Sequence, residues 1–271
     1  MNYTQKKKSA ESKSKKVLTI VVLVSLILII VVYLLTPPNL NDNFCPDDNN
    51  QIQANHYSVL IDVTDSLSKL NRKIVDGIVF DWLERSPPMQ KLAVYSLNTA
   101  TLSDFEDIDT ICSPPNASLL SFKYGRQKAL NRINEFKKRL MQSIDKSSIT
   151  TTKLNDSKIL ESVRQITNSP NWFPGSSRLV LISDLIEKSS YANFYSRDVP
   201  DFEDWVKINS NKDLLSSISL TRGDKVQICQ LHTDKPNESA RRKAKEFWVN
   251  LIAYKGVDEV FEVCNGMVNN K

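Results

Sequence analysis

The chain has 271 residues, 41% of them apolar and 25% charged, a composition that suits a packed globular domain and excludes collagen-like and repeat-array chains. Its formal charge of +5 comes from one end: residues 1–16 hold six lysines (Lys6, Lys7, Lys8, Lys13, Lys15, Lys16) against Glu11, and the remainder balances 30 basic against 30 acidic residues. A neutral remainder has no general attraction for phosphate backbones, so the charge gives no support to nucleic-acid binding.

From Val17 to Leu35 the chain runs 19 residues without a charge or a proline, and only Thr19, Ser25 and Tyr33 carry polar side-chain groups. At helical rise such a run spans the roughly 30 Å hydrocarbon core of a bilayer. Thr36, Pro37 and Pro38 follow in place of a small-residue cleavage site, so an uncleaved transmembrane signal anchor is expected. Lysines crowd its N-terminal flank, and the next Lys or Arg is Lys69. The positive-inside rule therefore predicts a cytoplasmic tail over 1–16 and an extracytoplasmic remainder, in the periplasm if the cell is Gram-negative. Residues 36–55, rich in Asn, Asp and Pro, are expected as a linker.

Over 56–271 the patterning alternates. Tyr57–Asp62 is a short apolar run expected as a buried strand. Ser68–Glu84 has Leu70, Ile74, Ile78 and Leu83 near helical spacing, before the stop at Pro87-Pro88. Lys91–Leu97 is a second strand. The stretch 98–124 reads as a long acidic connection with a short edge strand near Leu119–Phe122. Gln127–Ile144 is an amphipathic helix and Ser157–Thr167 another. Arg178–Asp184 and Val226–Leu231 are strands, Ala240–Tyr254 a helix, and Val257–Val263 a last strand. The alternation predicts a doubly wound, mostly parallel α/β sheet with helices on both faces. Cys45, Cys112, Cys229 and Cys264 lack CxxC spacing, which speaks against zinc; three complete disulfide pairings are open, and Cys229 could equally be a buried thiol.

In doubly wound sheets ligands bind beyond the carboxyl ends of the central strands. Asp62 opens the run Asp62-Val63-Thr64-Asp65-Ser66, whose acid and two hydroxyls alternate on one turn, and Asp184 ends the other buried strand. Hard oxygen donors of this kind suit Mg²⁺ or Mn²⁺. The simpler reading is that Asp62 and Ser66 cap the helix that follows.

These residues resemble the von Willebrand factor A, or integrin I-like, family, whose metal-ion-dependent adhesion site begins with Asp-x-Ser-x-Ser after the first strand; here Asp62-x-Thr64-x-Ser66 stands in that place. The resemblance implies a third hydroxyl from a loop ahead of a helix, for which Ser157, leading Ser157-Lys-Ile-Leu-Glu-Ser-Val163, is the candidate and Thr152 the rival. It implies a final aspartate at Asp184, a bound Mg²⁺ or Mn²⁺, and an open position that a partner protein's carboxylate would complete. The expected metal set is Asp62, Thr64, Ser66, Ser157 and Asp184. The aromatic stretch with Phe194, Tyr195, Phe202 and Trp205 is either local packing or a surface for partner specificity.

An enzymatic alternative, a magnesium phosphohydrolase of haloacid-dehalogenase type, also needs an aspartate after its first strand. Its Asp-x-Asp pattern fails where Thr64 takes the second position, His56 and His232 form no recognisable dyad, and the six glycines build no phosphate loop. The expectation is a protein-binding module, not an enzyme. A third reading keeps the fold and discards the metal, making the domain a scaffold subunit of an envelope complex.

Overall fold

The computed structural model describes residues 3–36, 39–46, 56–62, 68–97, 107–115, 117–149, 156–195, 200–231, 238–257 and 259–262. The chain divides into two compact units, 1–39 with 115–132, and 40–114 with 133–271.

The first unit holds helix α1 (Tyr3–Leu35), helix α3 (Ala117–Tyr124) and the opening turns of α4 (Arg126–Ile149). The side chains described in α1 are those of 17–33, and its large apolar members stand 43–80% exposed. Among the described residues no helix is long and apolar enough to cross a membrane.

The second unit is built on one six-stranded sheet in the order β3-β2-β1-β4-β5-β6. Its strands are β1 (His56–Asp62), β2 (Lys91–Leu97), β3 (Asp107–Cys112), β4 (Ser177–Ser183), β5 (Lys225–Gln230) and β6 (Glu259–Glu262). All neighbours pair in parallel except β2 and β3, which are antiparallel. Parallel strands buried on both faces read as continuous apolar runs, and β1 and β4 show this, with all but one residue of each buried. Successive side chains point to opposite faces. Leu60, Leu179 and Leu181 enter one core with α5 (Ile159–Thr167), α7 (Asn209–Ser217) and α8 (Glu238–Tyr254). Val59, Ile61, Val180 and Ile182 enter the other, with Val75, Ile78 and Trp82 of α2 (Lys69–Arg85) and Phe136 and Leu140 of α4.

Two expectations need correction. The edge strand expected near Leu119–Phe122 is the helix α3, and the edge strand is Asp107–Cys112, inside the acidic stretch read as a connection. Carboxylates mask a strand in sequence, yet an edge strand pairs on one side only and accommodates charge. The aromatic stretch packs locally. Phe194, Phe202 and Trp205 are buried with ring centroids 5.0, 5.5 and 4.9 Å from Phe247, and only Tyr195 of that group is exposed.

Residues 40–46, within the segment expected as a linker, are docked on the second unit. Cys45 is disulfide-bonded to Cys112 across 67 residues, Cys112 N–H donates to the Asn43 carbonyl at 2.9 Å, and buried Phe44 meets Phe136 edge-on at 5.4 Å. Phe44 has φ 61°, a left-handed turn held by Asn41, whose Oδ1 accepts from the N–H groups of Asn43 and Cys45. Cys229 is also disulfide-bonded; Cys264 lies outside the described residues.

Candidate metal centre

The order of the strands reverses between β1 and β4, the first of which connects outward to β2 and the second to β5. Where strand order reverses, the loops leaving adjacent strands diverge to opposite faces and leave a crevice at their carboxyl ends. β1 and β4 run in register from His56↔Ser177 to Ile61↔Ile182, so Asp62 ends its strand beside Ser183 with Asp184 following.

Asp62 is buried, 5% exposed, and two hydroxyls face its Oδ2. Ser183 Oγ donates to Asp62 Oδ2 at 2.7 Å and Ser157 Oγ approaches the same oxygen at 3.4 Å. Ser183 Oγ in turn accepts the Leu185 N–H at 2.8 Å, so backbone, hydroxyl and carboxylate form one polarised chain. Asp184 is half-buried and its Oδ1 accepts the Ile186 N–H at 2.9 Å, an Asx turn that leads the chain away from β4. Leu185 between them has φ 66°, a left-handed conformation that bulky residues seldom adopt.

Ser157 reaches this place because its loop is tied to the segment after β4. Its N–H donates to the Lys188 carbonyl at 3.1 Å and its carbonyl accepts the Lys188 N–H at 2.8 Å. Lys158, at the N-cap of α5, makes no side-chain cap, and Glu187 supplies one from across the chain: its Oε2 accepts the Leu160 N–H at 2.9 Å. Glu187 is fully buried, and burial pushes its carboxyl up to about 8, opposed by hydrogen bonds from Ser189 and the α5 backbone. Glu161, in the first turn of α5, is buried with its pKa raised for the same reason.

Of the expected set, Asp62, Ser157 and Asp184 come to the same end of the sheet. Thr64, Ser66 and the rival Thr152 lie outside the described residues. The three described donors are carboxylate and hydroxyl oxygens, a chemistry that fits Mg²⁺ or Mn²⁺. Among the described residues no group of three or more His, Cys, Asp or Glu could hold a metal ion. Sequence reasoning missed Ser183 and Glu187. Their signal was available: a serine ahead of Asp184 at the end of an apolar strand, and an acid directly after Leu185-Ile186 where exposed charge is not expected.

His56, the one described histidine, belongs to the opposite end of β1, is 5% exposed and stacks on Phe173 at 4.1 Å. Burial and the nearby Lys91 ammonium lower its pKa to about 4. It is not a partner for Asp62. Comparison with family models, with curated proteins and with solved structures found no match.

Proposed function

We propose that this chain is a membrane-anchored, extracytoplasmic protein-binding module of von Willebrand A type, which takes a partner's carboxylate through Mg²⁺ or Mn²⁺ at the end of β1. The observation that carries the reading is the buried Asp62 at the strand-order reversal, with the Ser157 hydroxyl 3.4 Å from its Oδ2 and Asp184 at the end of the adjoining strand. Asp62, Ser157 and Asp184 would supply oxygen donors, and Thr64 and Ser66 would complete them on the Asp-x-Thr-x-Ser turn. The ion would hold an open position for an incoming carboxylate. Support for the anchor is the uncharged run Val17–Leu35 and the exposed apolar side chains along it, such as Leu18 at 65% and Ile29 at 64%. Three disulfide-bonded cysteines, Cys45, Cys112 and Cys229, suit an oxidising space outside the cytoplasm.

A metal-independent scaffold is favoured by one specific observation: Asp62 Oδ2 already accepts the Ser183 hydroxyl, so the carboxylate is partly satisfied without an ion. Capture of envelope proteins by the full chain in detergent separates the two. The adhesion reading expects a partner retained in Mg²⁺, released by chelator and lost with Asp62→Ala; capture indifferent to both establishes the scaffold, and hydrolytic turnover of a phosphate ester would count against both.

A further inference from the structure

The opposite, amino-terminal end of the sheet has a cavity of about 370 Å³ between the starts of β1, β4 and β5 and the end of α2. His56, Trp82, Ser86, Gln90, Arg178 and Lys225 line it. Arg178 and Lys225 are register partners on adjacent parallel strands, so two cations stand side by side at one wall. Among the described residues no Asp or Glu lines it. Charges of one sign gathered in a partly enclosed space focus a field that draws the opposite sign.

The polar atoms of the lining point the same way. His56 Nδ1, Trp82 Nε1, Ser86 Oγ and Gln90 Oε1 are buried without a hydrogen-bond partner. His56, Trp82 and Gln90 are 5%, 5% and 3% exposed. Such orphans are rare in folded proteins, and four around one cavity call for an occupant. Indole N–H only donates, an amide oxygen only accepts, and a hydroxyl does either. An occupant that satisfies them offers acceptor oxygens to Trp82 and the two cations and a donor to Gln90. His56, held neutral, can serve either need at Nδ1.

We propose that this cavity is a binding site for a small organic oxyanion that also carries a hydroxyl, a hydroxy acid or a hydroxylated phosphate ester. Arg178 and Lys225 hold the anionic head, the Trp82 N–H donates to it, and Gln90 Oε1 accepts the ligand hydroxyl. Its size suits a molecule of metabolite dimensions and not a peptide. The site lies at the far end of β1 from Asp62 and stands independently of the metal reading.

Titration of the full chain in detergent with citrate and with glycerol 3-phosphate, followed by calorimetry and Trp fluorescence, tests the site and tells a carboxylate from a phosphate head. Saturable binding of either below about 10 mM is expected. It should weaken at least about tenfold in Lys225→Gln, which removes one charge-assisted hydrogen bond. Ser86→Glu, whose native hydroxyl makes no hydrogen bond, places a carboxylate at the cavity and should abolish binding, with circular dichroism checking that the variant is folded. A cavity that takes up neither probe, holding water alone, overturns the proposal, as does binding that both variants leave intact.

Discussion

The buried Asp62 carboxylate accepts the Ser183 hydroxyl at 2.7 Å. Ser183→Ala would remove one hydrogen bond to the Asp62 carboxylate and one from the Leu185 N–H, an expected loss of about 2 kcal/mol that chemical denaturation would register. Full stability in that variant would mean the carboxylate is satisfied elsewhere. Glu187 makes a second, signed prediction. Its folded pKa of about 8 lies above the unfolded value of 4.5, so the native state retains a proton the unfolded chain has released, and stability falls as pH rises through that window. His56 has the opposite sign: its pKa lowered from 6.5 to about 4 makes stability rise with pH across that interval. The two effects oppose each other below about pH 6.5; from there to pH 8 the His56 gain has ended and the Glu187 loss continues, about 2 kcal/mol. Glu187→Gln should flatten the curve over that range; an unchanged slope would mean Glu187 ionises normally. Gly223 is fixed by space: its φ is +93° and a Cβ there would lie 2.6 Å from the Gly175 carbonyl oxygen. Gly223→Ala should therefore lower the melting temperature through backbone strain and displacement of the Gly175 turn.

At the scale of elements, the sequence was most legible where burial is two-sided. The runs around Tyr57–Asp62, Lys91–Leu97 and Arg178–Asp184 appear as β1, β2 and β4 with boundaries shifted by at most one residue, because a strand covered on both faces leaves few polar positions to confuse its period. The edge was not legible. Asp107–Cys112 carries two aspartates and is specified by its antiparallel pairing with β2 and by the Cys45–Cys112 disulfide, both contacts distant in sequence. The candidate site divides the same way. Asp62 and Asp184 announce themselves as acids closing apolar runs, whereas the approach of Ser157 to Asp62 depends on the Ser157–Lys188 bridge and the Glu187 cap of α5, which no local pattern encodes. The disulfide also makes 40–46 part of the domain's stability: Cys112→Ser should cost up to about 4 kcal/mol, the loop-closure value for 67 residues. Denaturation of the native chain beside Cys112→Ser, both without reductant, would measure it, and equal midpoints would show that the turn holds itself in place. A soluble version should consequently begin ahead of Cys45.

For the whole molecule, the proposal joins a binding edge on a mostly parallel sheet to a membrane anchor in residues 17–35, ahead of it in the sequence. If residues 17–35 form that anchor, the full chain should sediment with membranes and resist alkaline carbonate, while a version starting at Asn39 should be soluble; extraction of the full chain by carbonate would remove the anchor from the account. The central claim is the ion at Asp62. Calorimetric titration of the full chain in detergent with Mg²⁺ and Mn²⁺, beside Asp62→Asn, tests it most directly: saturable binding by the native chain that disappears in a variant of unchanged fold is the predicted result, and no binding, or binding of equal strength in the variant, would contradict it.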